Sequence, residues 1–388
     1  MVDDIMSHPA VKVFKEREKE YAEFFVETVV EVCQKPAPSL EEGKRAEYVA
    51  SRFEEEGLED VQVDEVNNVI GRLSGESGTA YCSVSAHLDT VFPMDTDLTV
   101  TREGSILRGP GVGDNSSAVA CLITLARIFK RWGGKLPIDI VFLANAGEEG
   151  LGNLIGIRHF FDSYVTREDV DLRGCLIFDG PLGFIANRGV ASRRLEVTVQ
   201  TEGGHSWKDF GKANAIAEMA QVIRQIYGLD VPDEPRTTYN VGTISGGTSV
   251  NTVAQKASML LDMRSVCESS LGALVGQVEG IFGGIGNDSR VSWEVRGERP
   301  GGSLDPNHPL ITMLMDLGKK QGMDLALRAG STDANWPLSL GLPAVTTGLT
   351  TGGGTHTLEE WVDVSPADRA LGWALTSLLG ASTVLRSI

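Results

Sequence analysis

Two histidines and a set of carboxylates stand where apolar segments of this sequence stop. His87 and Asp89 close the run AYCSVSAHLDTVF, Glu148 and Glu149 close IDIVFLANAGEEG, and Asp179 closes GCLIFDG. Asp114 lies in the glycine-rich segment GPGVGDNSSAVA, and His356 in GGGTHTLEEW. Imidazole nitrogens and carboxylate oxygens are donors that suit zinc, with cobalt or manganese as substitutes. On a strand, residues i and i+2 share a face, so Asp89 can stand behind the His87 imidazole and fix its tautomer. Glu148 and Glu149 are neighbours at the end of an apolar run. If buried, they repel, and that repulsion is costly without a cation. Their side chains point opposite ways, so one can ligate while the other faces the attacking water.

Each residue also has an ordinary reading. A strand-end histidine is commonly structural. Asp114 with Asn115 or Ser116 can cap a helix. Asp179 suits a turn, and the Glu148–Glu149 pair a solvated loop. The glycine-rich loop lacks the lysine of a phosphate-binding loop, and its aspartate opposes an anion. Taken together, two histidines and three carboxylates at one sheet edge make a dinuclear centre. Asp114 would be shared, with His87 and Asp179 on one ion and Glu149 and His356 on the other. Glu148 is left to act as general base.

The elements needed to bring these residues together are readable. EEGKRAEYVASRFEEEGLE has helical spacing, VQVDEVNNVIGRL reads as strand, turn, strand, and SSAVACLITLARIFKRW as a helix. Continuous apolar strands alternating with helices predict an α/β domain with a largely parallel sheet covered on both faces. Such sheets bind ligands beyond the strands' C-terminal ends, where these residues cluster. From about residue 189 the pattern changes. SRRLEVTVQTEGG, ASMLLDMRSV and SRVSWEVRG alternate with period 2, and NAIAEMAQVIRQIYG and SSLGALVGQVEGIFGGIG read as amphipathic helices. An α+β module with an antiparallel sheet is expected over 190–299, inserted into a catalytic domain formed by 1–189 and 300–388.

The chain has 35 Lys+Arg against 53 Asp+Glu, a net charge of −18, which argues against nucleic-acid or membrane-surface partners. Five widely spaced cysteines, with no C-x-x-C pair, fit a reducing cytoplasm. None is expected to be an activated thiol. No secretory signal or membrane-spanning run is read. His159 and His308 are given no role, and the tryptophans read as packing. No G-x-S-x-G elbow follows a strand, which excludes a serine hydrolase of that type. A non-catalytic binding protein on the same fold would be expected to lack a donor or the Glu148 base, and neither is missing.

The segments SAHLDTVFP, GPGVGDNSSAVA, NAGEEGLG, IFDG, GGHSW and GGGTHTLEEW stand in the order seen in the dinuclear zinc hydrolases that include peptidase T, carboxypeptidase G and aminoacylase. The resemblance covers nearly the whole chain. It implies two zinc ions held by His87, Asp114, Glu149, Asp179 and His356, with Asp89 orienting the first ligand and Glu148 as base. It implies a cis Asp114–Asn115 peptide. The inserted module resembles the family's lid, which mediates homodimerisation. There His205 matches a histidine that reaches the neighbouring subunit's site, and Asn251 and Arg264 match substrate-contacting positions. Asn251-Thr-Val-Ala lacks the proline that often follows this asparagine. Asp179 as aspartate resembles the peptidase branch. The resemblance thus implies an exopeptidase acting on short peptides. An N-acyl amino acid deacylase using the same centre is the alternative.

Overall fold

The computed structural model describes residues 1–284 and 289–387. The chain divides into two compact units, Met1–Arg188 with Ser303–Ile388, and Gly189–Gly302.

The first unit is built on a mixed sheet. Its central strands are Asp139–Asn145, Ala80–His87, Asp171–Phe178 and Ala344–Thr347, in that spatial order and all parallel. Val69–Leu73 and Phe184–Gly189 flank them antiparallel. Every residue of Asp139–Asn145 is buried. Alternate side chains feed two cores, as the pleat requires. Ile140, Phe142 and Ala144 join the helices Glu18–Cys33, Gly43–Glu55, Ala118–Trp132 and Ala367–Leu385. Val141 and Leu143 join Phe160, Phe161 and Leu338 on the opposite face. Burial on both faces explains the unbroken apolar runs, and the α/β class read from them is the class observed. The register aligns His87 with Asn145, and Thr347 with Phe178. The strand ends therefore finish on one edge.

A second, smaller sheet in this unit was not foreseen. Its strands are Thr351–Gly353, Trp361–Asp363, Ile106–Arg108 and Thr101–Glu103, antiparallel and in that order. They are too short to show a period. This sheet ties the turn carrying His356 to the loop carrying Asp114.

The second unit is an antiparallel sheet in the order Thr237–Gly246, Lys256–Ser265, Ala191–Thr201, Ser289–Arg299. Leu195, Val197, Val199, Met259, Leu261 and Met263 face helices Ala215–Ile226 and Glu268–Gly283. The end of the expected second helix, Ile285 and Gly286, lies outside the described residues. Thr237–Gly246 escaped the sequence reading because most of its residues are exposed and few are apolar.

Some minor expectations are corrected. Trp207 is 87% exposed rather than packed in a core. His308 caps helix Pro309–Lys320, its Nδ1 accepting from the Leu310 N–H at 3.2 Å. Cys267, at the start of Glu268–Gly283, is held down to about 7 by hydrogen bonds, first with the Ser269 hydroxyl and then with the Ser270 backbone.

Candidate metal centre

His87 is the last residue of its strand and is buried. Its Nε2 lies 3.1 Å from Asp114 Oδ1. The other oxygen, Asp114 Oδ2, lies 3.2 Å from His356 Nε2. The same His356 nitrogen is 2.8 Å from Glu149 Oε1. One carboxylate thus faces two imidazoles, one per oxygen, as a bridging ligand must. Donor atoms of His87, Asp114 and Glu149 all lie within 4.8 Å of one another. Asp179 follows its strand, its N–H donating to Thr347 O at 3.2 Å. Burial, and then the charge of Asp114, raise its carboxyl well above the usual range. Asp114 does not cap the following helix through its side chain. The Asp114–Asn115 peptide is cis.

Charges in the cluster are strongly interdependent. Burial depresses the His87 imidazole, but its bonds with Asp114 and Asp89 outweigh this and hold it well above its ordinary value. The hydrogen bond with Asp114, opposed by burial and helped by Glu149, raises His356 to about 9. Burial lifts Glu149 to about 7, opposed by the charge of His87 and helped by that of Asp114. Protons on these groups occupy the positions between nitrogen and oxygen donors that a cation would take. The donor set, two imidazoles and buried carboxylates around a shared aspartate, fits a pair of divalent cations.

The supporting backbone was only partly legible. Asp89 was expected to orient His87 through its carboxylate. Its carbonyl is the nearer group, 3.0 Å from Nδ1, with Oδ1 at 3.4 Å. The strand has ended at His87, and the Asp89 carboxylate, beside the ring, also takes other partners. Oδ1 accepts from the Glu148 N–H and Oδ2 from the Glu149 N–H, both at 2.9 Å, and the Ser39 hydroxyl donates to Oδ2 at 2.6 Å. Asp89 therefore fixes both glutamates through their backbone. Glu42 Oε1 accepts from Gly147 N–H at 3.0 Å, and the buried Arg45 donates to the carbonyls of Leu88, Lys35 and Cys33. Both sit on or beside a helix whose pattern suggested only an amphipathic face.

Glu360 holds the glycine-rich loop. Its oxygens accept from the N–H groups of Gly111 at 3.0 Å and of Gly113 and Asp114 at 2.8 Å. A Cβ on Gly113 would lie 2.9 Å from Glu360 Oε1, so this approach needs glycine. His356 itself has φ +65°, a conformation uncommon outside glycine and kept where surroundings enforce it. A further buried acid, Asp333, accepts from Asn145 Nδ2 at 2.8 Å. Burial, then Glu148, lift it to about 7. It lies in GSTDANWP, which reads as a turn. The EEW run after His356 was the only visible hint of Glu360.

The remaining expected site residues lie in the second unit. His205 is exposed on the short strand Gly204–His205, paired with Thr252–Val253. The N–H next to it, of Ser206, donates to Asn251 O at 3.0 Å. Arg264 lies near the other end of strand Lys256–Ser265, its Nε 2.6 Å from Asp262 Oδ2.

Comparison with known proteins adds the family. The model described as "Peptidase family M20/M25/M40" matches residues 84–375. The chain is 23% identical over 335 residues to the uncharacterized protein YqjE of Bacillus subtilis (strain 168), covering 82% of this chain and 88% of that one. It is 24% identical over 273 residues to a succinyl-diaminopimelate desuccinylase of Alkalilimnicola ehrlichii, covering 65% and 71%. The crystal structure of aminopeptidase PepT from Bacillus cereus ATCC 10987 superposes with a TM-score of 0.75 at 19% identity, covering 92% of this chain and 98% of that one.

Protonated donors must give up their protons to a cation. His356 and Glu149 titrate near 9 and 7, so loading chelator-stripped protein with zinc at pH 7 is expected to release protons. The number released falls as pH rises from about 7 through about 9, and affinity increases over that range and levels off above it. Calorimetry in buffers of different ionisation enthalpy reads this directly. Glu360→Ala removes the acceptor for three N–H groups. It is expected to weaken zinc affinity about 10- to 100-fold, as loss of a ligand-supporting partner does.

Proposed function

The chain belongs to peptidase family M20/M25/M40, and on that premise we propose that it is a two-zinc exopeptidase that hydrolyses amide bonds of short peptides. The observation that carries the reading is the sharing of Asp114 between His87 and His356. His87, Asp114, Glu149, Asp179 and His356 would hold the ions, with Asp179 paired to His87 and Glu149 to His356. Cobalt or manganese is compatible with the same donors.

Two cations in this site would polarise the scissile carbonyl and bring the pKa of a water toward neutrality. The protein's own work is positioning and proton transfer. Asp89 fixes the backbone of Glu148 and Glu149, so both glutamates start from one tied turn. Glu149 is turned to His356. Glu148, 5% exposed, is the base that takes the proton from the attacking water and passes it to the leaving amine.

The second unit is read as a lid and dimerisation module. His205 would stabilise the oxyanion in a neighbouring subunit's site, and Asn251 and Arg264 would contact substrate. The exposure of His205, and the bond from the Ser206 N–H beside it to the Asn251 carbonyl, support this. The Asp262 pairing of Arg264 leaves it an equally good structural residue. Among the described residues no helix is long and apolar enough to cross a membrane. The buried free thiols Cys33, Cys82, Cys121 and Cys175 support a cytoplasmic setting. A second reading, N-acyl amino acid deacylase, is favoured by the similarity to the desuccinylase. Release rates from di- and tripeptides against N-acetyl and N-succinyl amino acids separate the two.

Glu148→Gln is expected to retain both zinc ions yet lose about 10²–10⁴-fold in kcat. Metal analysis and a peptide-release assay on the same preparation check this. Near-normal turnover in that variant removes Glu148 from its role.

A further inference from the structure

Beside the donor cluster, within the first unit, lies a cavity of about 180 Å³. Asp114 is part of its wall. Gly180 and Pro181, which follow Asp179, are another part, and Thr355, which precedes His356, a third. Three of the five proposed donors thus border it, directly or through a chain neighbour. The volume is well below the about 300–1,000 Å³ of a pocket for a whole ligand, so it fits one substituent of a larger substrate.

Its chemistry is restrictive. No lysine or arginine lines it. The two carboxylates in the wall are engaged, Asp114 with the histidines and Glu360 with three backbone N–H groups. An acidic substituent would meet like charge, and a basic one would have to compete with the donors that both carboxylates already hold. What remains is glycine backbone, Pro181, Val362, two threonines and Trp361. Trp361 is paired in register with Gly353 across the hairpin whose turn carries His356. A Cβ on Gly353 would lie 3.1 Å from Trp361 Nε1, so a larger residue at this position would press on the indole.

We propose that this cavity is a side-chain pocket of the hydrolytic site. It takes a small uncharged side chain, of alanine to leucine size, from the residue flanking the amide bond that is cut, with Trp361 and Gly353 setting its limit. The proposal rests on the peptidase reading above and adds its substrate preference. The hairpin that delivers His356 also builds the pocket wall, so the chemistry and the preference are set by one element.

The test uses full-length, zinc-loaded protein and three series of substrates, X-Ala, Ala-X and N-acetyl-X, with X as Ala, Leu, Trp, Asp or Lys. In one series kcat/KM is expected to fall at least about tenfold from Leu to Trp, the scale of discrimination by pocket volume, and to be low for Asp and Lys. Trp361→Ala should relieve the Trp penalty in that series by a similar factor and leave the other profiles as they were. Gly353→Val should extend the penalty to Leu. Trp361→Leu serves if the alanine variant does not fold. Turnover with profiles unmoved by these substitutions, at unchanged zinc content, overturns the pocket alone. Absence of turnover in every series overturns the peptidase and deacylase readings, and the pocket with them.

Discussion

The structure turns on one carboxylate with a histidine at each oxygen. Asp114 bonds His87 on one side and His356 on the other, joining residues 87 and 356 of the sequence through a single side chain. Around it Glu149 and Asp179 add further acidity in a buried setting, where like charges raise one another's pKa values. Such a cluster needs positive charge. Protons on the imidazoles can supply it, and so can divalent cations, and these compete for the same donor atoms. The rest of the first unit can be understood as a means of keeping that cluster assembled.

The means differ for each side chain. His87 and the Glu148–Glu149 turn come from adjacent parallel strands whose register matches His87 with Asn145. Asp114 and His356 come from segments next to strands of the smaller antiparallel sheet, where Trp361 pairs with Arg108. The backbone at these points is tied by buried carboxylates rather than by regular ladders. Asp89 receives two N–H groups, Glu360 three, and Glu42 two. Loops with unsatisfied N–H groups cannot be buried, and acidic side chains from distant segments satisfy them here.

The α/β class, the strands that lead to His87, Glu148 and Asp179, and the break to an antiparallel module were legible because periodicity and burial leave a strong mark. The Asp114–His356 contact was legible through chemistry, since those residue types have few other reasons to converge. Glu360, Glu42, Arg45 and Asp333 were not. Each is a charged residue in a polar context, and burial of such a group depends on tertiary partners that local pattern does not encode. The small sheet was hidden for a related reason: three-residue strands carry no measurable period. Asp89 stands beside the His87 ring, but the two backbone N–H groups that its carboxylate also receives leave no mark in the sequence.

Anomalous diffraction at the zinc edge, from crystals grown with zinc, bears most directly on the shared aspartate. Two peaks are expected, one on each side of the Asp114 carboxylate, with His87 and Asp179 at one and Glu149 and His356 at the other. A single peak, or peaks that leave Asp114 uncoordinated, would contradict the account.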